Sequence, residues 1–292
     1  MKTLKIGQFS QSPVLLAIQH FNLLPDYELE ISNVTSSPSQ FESLVKKELD
    51  IALTSPDNVL LYGTTDKNAL KQKIDLKMLR SIDKGLKLSL VSNGEIKNAS
   101  QLQNAVFSID SITSGFALLL KNMLLNLKID LDKEINFVQA GSTPKRLLHI
   151  LDNNSQVTIL NAESKIVADK KSLKTWMDVS QVSNNYLGTV ICVKAVDEVA
   201  QPIKDFMRAW KTAVEMILTF SYVQFKEIFT DKESPLATIE YFELLKDQKH
   251  GMTQKNELSV ENLIPLVEIR KATNAYAPDI SLIGNLISNK YE

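Results

Sequence analysis

The chain has one cysteine, Cys192, in 292 residues, and that scarcity removes two classes of structure at once. No internal disulfide can form, and no cysteine-ligated metal cluster can assemble. Cys192 stands in the apolar run TVICV, which marks a buried structural thiol and not a nucleophile. Histidine is nearly as scarce. His20, His149 and His250 are far apart, with none of the spacings that gather metal ligands. Long apolar runs are missing too: stretches such as Phe116–Leu120 fall far short of the roughly 20 residues that span a bilayer. Positive charge is not in excess, because 33 basic and 34 acidic residues leave a net charge of −1 spread along the chain. A nucleic-acid surface needs a basic stripe, and this chain has none. Neither GxxxxGK[ST] nor GxGxxG occurs, so nucleotide binding has no support, and no hydrolase nucleophile elbow occurs. Met1-Lys2-Thr3 leads directly into LKIG without a signal-peptide apolar region or lipobox cysteine. The expected location is cytoplasmic if Met1 is native, and exported with the signal removed otherwise.

What the chain does have is a repeated junction: an apolar run, a small-polar loop, then Ser/Thr-Pro. It occurs as LKIGQFSQSP (4–13), DIALTSP (50–56) and INFVQAGSTP (135–144), with VFSIDSITSG (106–115) as a proline-free version. Proline suits the first helical position, and Ser or Thr before it caps the free amides. Each junction therefore predicts a strand whose carboxyl end feeds a helix amino end. In an open α/β sheet small ligands collect at that edge, because free N–H groups and the helix dipole favour anionic or polar atoms. Four such ends predict a ligand cleft.

The first part of the chain reads as alternating strands and helices: strands 4–8, 27–34 and 50–54, helices 13–22, 38–47 and 56–63. Two strand-like runs follow, 74–82 and 86–92, split by Asp83-Lys84-Gly85. A second alternation has strands 105–109, 135–140, 157–161 and 173–179 with helices 115–127, 144–151 and 163–170. The strand 187–194 is reached through the polar loop 183–186. Beyond it the pattern is helical. Phe206, Trp210, Ala213, Val214 and Ile217 repeat at helical spacing and predict a buried stripe, and further helices fit 221–229, 235–246, 259–272 and 279–288. Alternating β and α elements imply an α/β fold with mainly parallel strands. Two alternations joined near 83–87 and 184–188 predict two lobes with a double crossover. Lobe one would comprise 1–85 and 187–292, and lobe two, 86–186, would be inserted in it.

Three blocks carry a resemblance: IGQFSQSPVLLAIQHFNLL, ELDIALTSPDNVLLYG, and SGFALLLKNMLLNLKIDLDKEINFVQAGSTPKRLLHILDNNSQVTILNAE. The arrangement resembles the type II periplasmic-binding-protein superfamily, in particular its SsuA-like binders of sulfonates, taurine, nitrate and thiamine pyrimidines. The likeness runs over most of 4–195, and the helical tail matches only in general character. It implies two mainly parallel sheets, a helical C-terminal region, and lobes that close over a small polar or anionic organic ligand without a cofactor. A transporter partner follows only if the chain is exported. Carried over by position, the ligand candidates in lobe one are Gln8, Phe9, Ser10, Gln11, Thr54, Ser55 and Asp57. Those in lobe two are Ser111, Thr113, Ser114, Gly115, Gly141, Ser142, Thr143, Asn161 and Glu163, with Asn185 and Tyr186 beside the returning crossover.

An alternative is a cytoplasmic enzyme of thiamine-pyrimidine or related cofactor synthesis on the same fold. The fungal enzymes of that kind carry a cysteine-rich motif, which this chain lacks. Each candidate also has a plain structural explanation. Ser12, Ser37, Ser55, Thr143 and Ser234 can be simple caps, worth on the order of 1 kcal/mol each. Gly115 leaves a helix amino end open to close approach, or simply makes a tight turn. Arg146, in the first turn after Pro144, can pair with an anion or face solvent. Asp57 and Glu163 stand where the helix dipole alone favours acids; facing a cleft, they would favour a cationic or hydrogen-bond-donating ligand such as an aminopyrimidine.

Overall fold

Hydroxyl and amide side chains set where most of the helices begin. In the computed structural model, which describes residues 2–291, strand β1 (Lys2–Gln8) leads to helix α1 (Pro13–His20), whose Ser12 cap accepts the Leu15 amide. Strand β2 (Tyr27–Asn33) leads to α2 (Ser37–Val45), and β3 (Ile51–Thr54) to α3 (Pro56–Thr64). The α2 cap is Ser36, not Ser37, because Ser36 Oγ accepts the Ser39 amide. Strands β4 (Leu76–Asp83) and β5 (Ser89–Ser92) follow with no helix between them.

The second alternation is β6 (Val106–Ile109), α4 (Gly115–Asn126), β7 (Asn136–Gln139), α5 (Thr143–Leu151), β8 (Val157–Leu160), α6 (Ala162–Lys170) and β9 (Lys174–Asp178). Strand β10 (Thr189–Lys194) returns, and the chain continues through α7 (Gln201–Thr219), α8 (Tyr222–Glu227), α9 (Ile239–Lys246), α10 (Val260–Ala272) and α11 (Ile280–Ile283).

The strands form two five-stranded sheets, ordered β2-β1-β3-β10-β4 and β7-β6-β8-β5-β9. In the first, β10 pairs antiparallel with β3 and β4 while β1 pairs parallel with β2 and β3. In the second, β5 is the opposed strand, between β8 and β9. The fold is thus α/β with two mixed sheets, each with one strand running against the rest. The chain passes between the sheets twice, through 84–88 and 179–188.

These crossovers touch. A Cβ on Gly188 would lie 2.2 Å from Asp83 Oδ1 and 2.6 Å from the Gly85 Cα, so only glycine allows the approach. Gly85, Leu86 and Lys87 all have positive φ, at 85°, 44° and 55°. Left-handed backbone costs a non-glycine residue roughly 1–2 kcal/mol, so this joint is strained as well as tight.

Behind the first sheet, the expected stripe of α7 is buried: Phe206, Trp210, Ala213, Val214 and Ile217 pack in one core with Val14, Leu15 and Ile18 of α1. Cys192 is fully buried in β10, and burial pushes its thiol far up from the ordinary value. A second core runs from one sheet to the other, joining Leu60 and Tyr62 of α3, Leu118 and Leu119 of α4, and Leu263 and Val267 of α10.

The tail departs from the expected helices at two places. The segment 235–246 breaks into a short 3-10 turn, Pro235–Ala237, and α9, because the Thr238 hydroxyl recaps the chain by accepting the Tyr241 amide. The segment 279–288 stops being α-helical at Ile283, because Ile287 bridges Met78 and the Ser288 amide donates to the Met78 carbonyl. The segment leaves the helix there to lie along β4.

Candidate functional site

Five helices of eight or more residues aim their amino ends into one cleft between the sheets. Their caps Ser12, Ser55, Ser114, Ser142 and Asn161 all line it. Its volume of about 190 Å³ suits a small solute. Pockets for drug-sized molecules run to roughly 300–1,000 Å³. First-turn amides have no intrahelical acceptor, so each end presents donors and a partial positive charge.

Of the expected residues, the cleft gathers Gln8, Phe9, Ser10, Gln11, Thr54, Ser55, Ser114, Gly115, Ser142, Thr143, Asn161 and Glu163. Several have structural work beside any ligand. Gln8 Oε1 accepts the Ser12 amide at 3.0 Å, and Thr54 Oγ1 accepts from Asn58 at 3.2 Å. Ser142 differs: its side chain makes no cap bond, so its hydroxyl is not committed to the helix. Phe9 stands 41% exposed, an apolar surface left open at the cleft.

The other expected residues do not line it. Asp57 is buried, and its two oxygens accept from Nε and Nη2 of Arg270 at 2.6 and 2.7 Å, so its carboxylate serves α10. Gly115 lines the cleft, but the group that its missing side chain admits is Asp57: a Cβ would lie 2.9 Å from Asp57 Oδ2. Tyr186 is buried against Gly85 at the crossovers, and burial pushes its phenol far up. Asn185 is exposed and donates its amide to Ser183 Oγ. Ser111 and Thr113 lie on the loop before α4, where the Ser111 carbonyl accepts the Ser114 amide. Gly141 turns its carbonyl to Arg146 Nη1 at 2.8 Å.

The cleft also contains residues outside the candidate set: Thr35, Asn58, Asp83, Asp110, Phe116, Arg146, Thr189, Tyr241 and Met252 among them. Arg146 carried a sequence signal, its place in the first turn of α5. Tyr241 and Met252 carried none, because only the packing of the tail brings them there. Asp83 sits at the crossover, where its carboxylate accepts the Gly85 amide at 2.8 Å; burial pushes it up to about 6 against that bond and the Thr189 hydroxyl. Burial also raises Glu163. Burial pulls Arg146 below the ordinary arginine value, with Asp110 opposing.

No protein-family model matches this sequence, and no curated protein sequence does. Solved structures do. The alkanesulfonate-binding protein SsuA of Xanthomonas axonopodis, bound to MOPS, superposes with a TM-score of 0.76 at 13% identity, over 99% of this chain and 98% of that one. The ligand-binding component of an ABC-type import system from Staphylococcus aureus, with zinc bound, gives 0.75 at 13% identity, over 100% and 99%. A Candida albicans gene product described as having the generic periplasmic binding protein fold gives 0.72 at 14%, over 99% and 96%. The chain has the two-lobed periplasmic-binding-protein fold. At these identities the likeness speaks for the fold.

Proposed function

We propose that this protein is a solute-binding protein that closes its two lobes over a small polar or anionic organic molecule. The observation that carries this is the convergence of five helix amino ends from both sheets on one cleft. Such ends supply oriented donors without desolvating a full charge. A ligand touching both walls binds the closed arrangement more tightly than an open one, and the tight joint at Gly85 and Gly188 is where motion would concentrate. The names of the SsuA and import-system neighbours agree with this reading. Among the described residues no helix is long and apolar enough to cross a membrane, and no group of three or more potential metal ligands occurs. Met1, on which the export question turns, lies outside the described residues.

Native mass spectrometry of freshly purified protein, compared with denaturing spectra, tests the proposal. A small-molecule adduct lost on denaturation is expected. Bare mass, together with a scattering profile that no small polar metabolite compacts, would sink it.

A further inference from the structure

A third segment of chain is built into the joint between the lobes. From the tail, 247–253 lies against the first crossover. Met252 bridges Asp83 in antiparallel fashion, the Lys84 amide donates to the Gly251 carbonyl at 2.9 Å, and the Leu86 amide donates to the His250 carbonyl at 3.0 Å. Lys84 reaches along the tail, its Nζ donating to the Gln248 carbonyl at 3.1 Å and pairing with Glu257 at 3.0 Å. Only glycine allows so tight a loop, since a Cβ on Gly251 would lie 2.5 Å from the Leu245 and Asp247 carbonyl oxygens. The His250 carbonyl thus satisfies an amide in the middle of Gly85–Lys87, the stretch of positive φ that needs support from outside itself.

The side chain of the same residue stands where a charge is unwelcome. His250 is 6% exposed, and its Nδ1 is buried with no hydrogen-bond partner among the described residues. A neutral ring can leave a lone pair there, whereas an imidazolium puts a proton and a share of charge there with nothing to accept them. Charged groups face it from three elements: Asp247 and Lys249 on its own loop, Lys87 on the crossover, and Asp178 at the end of β9. The acids favour protonation and the lysines oppose it, but burial is the largest influence and holds His250 below the ordinary 6.5. Docking of the loop is therefore strongest above 6.5 and is lost as pH falls toward the depressed value.

We propose that 247–253 is a proton-released brace. With His250 neutral it holds the first crossover in its left-handed course; protonation of His250 lets the crossover go, so the stiffness of the joint between the lobes follows pH. The device does not depend on which solute the cleft takes. Asp83, on the same joint, titrates in the opposite sense, because its protonation relieves a buried charge. A His250 variant separates the two.

Amide hydrogen exchange of the full chain, read by mass spectrometry on peptides covering 82–88 and 247–253 and corrected for the intrinsic pH dependence of exchange, tests this with β10 as internal reference. Wild-type protection in both segments is expected to fall by up to roughly tenfold between about pH 7.5 and about pH 5.5, with β10 unchanged. His250→Gln, which cannot titrate, should keep protection constant over that range. A fall that persists in His250→Gln, a fall shared equally by β10, or no fall in the wild type overturns the brace. Should His250→Gln fail to fold by circular dichroism, NMR titration of the wild-type ring decides: a midpoint below 6.5 supports the brace, and one at or above 6.5 overturns it.

Discussion

The amino ends of α3 and α5 begin from nearly the same letters, TSPD and STPK, and finish in opposite states. At α3 the cap and the acid are both engaged. Ser55 caps the Asp57 amide, and the Asp57 carboxylate is clamped by Arg270 from α10, both side chains almost wholly buried. At α5 the cap hydroxyl is free, and the Arg146 Nε has no partner. One end is a joint; the other has the unmet valence of a receptor. The difference comes from what the rest of the fold delivers. α10 brings a cation to α3 and also packs on α4, so Asp57 stands under Gly115 at the lobe boundary. At α5 the ion pair among the described residues is the longer one, Arg146 to Asp110 at 3.9 Å.

The largest expected effect breaks the joint. Asp57→Ala leaves the Arg270 guanidinium buried without its carboxylate and should cost about 3–5 kcal/mol in denaturant unfolding. Glu163→Gln, at an end with no partner to lose, should change stability little. Equal losses in the two variants would erase the contrast between paired and unpaired acids.

Next in size is Asp83, a buried carboxylate with no cation paired to it among the described residues. Its folded value, about 6, lies above the ordinary 3.8, so the ionised form costs stability above the folded value. That cost fades as pH falls through about 6 and is gone below the unfolded value. The elevation corresponds to roughly 3 kcal/mol at most. Asp83→Asn, which keeps an acceptor for the Gly85 amide, should therefore raise the melting temperature near pH 8 and give no gain near pH 4. A gain independent of pH would show that ionisation is not the cause.

Gly115→Ala sharpens the comparison further. Its new methyl would crowd Asp57, which Arg270 holds in place, for an expected loss of about 1–3 kcal/mol. In the Asp57→Ala background most of that loss should vanish, and this coupling is the measurement that matters. Strict additivity of the two changes would mean that Gly115 answers to something other than Asp57. The same crowding makes a bulkier Gly115 variant a poor probe of ligand approach.

The smallest effect compares the caps. Ser55→Ala should cost about 1 kcal/mol in thermal unfolding, and Ser142→Ala only a few tenths, because Ser142 makes no cap bond. Equal costs would contradict the free hydroxyl at α5.

The helix starts, the alternation of strands and helices, the buried stripe of α7 and the burial of Cys192 were legible because each is written in neighbouring residues. Capping, proline at the first turn and periodic burial act over a few positions. Much of the candidate site followed for the same reason: Ser55, Ser114, Ser142 and Asn161 are helix caps wherever the helices happen to point. The misplacements have an equally local cause. Asp57 and Glu163 look alike in sequence, each an acid in the first turn after a strand. Only Arg270, 213 positions along the chain from Asp57, separates their roles.

The sequence by itself therefore determined most of the elements and caps and the class of fold, since those depend on short-range sterics and hydrogen bonding. Tertiary structure alone decided which helix ends were closed and which stayed open. It carried Tyr241 and Met252 from the tail into the cleft, set Gly85 against Gly188, and, among the described residues, left Arg146 with only Asp110 at 3.9 Å and Glu163 with no ion-pair partner. The physical reason is that compensation of a buried charge depends on distance in space, and in this chain the compensating groups lie far away in sequence.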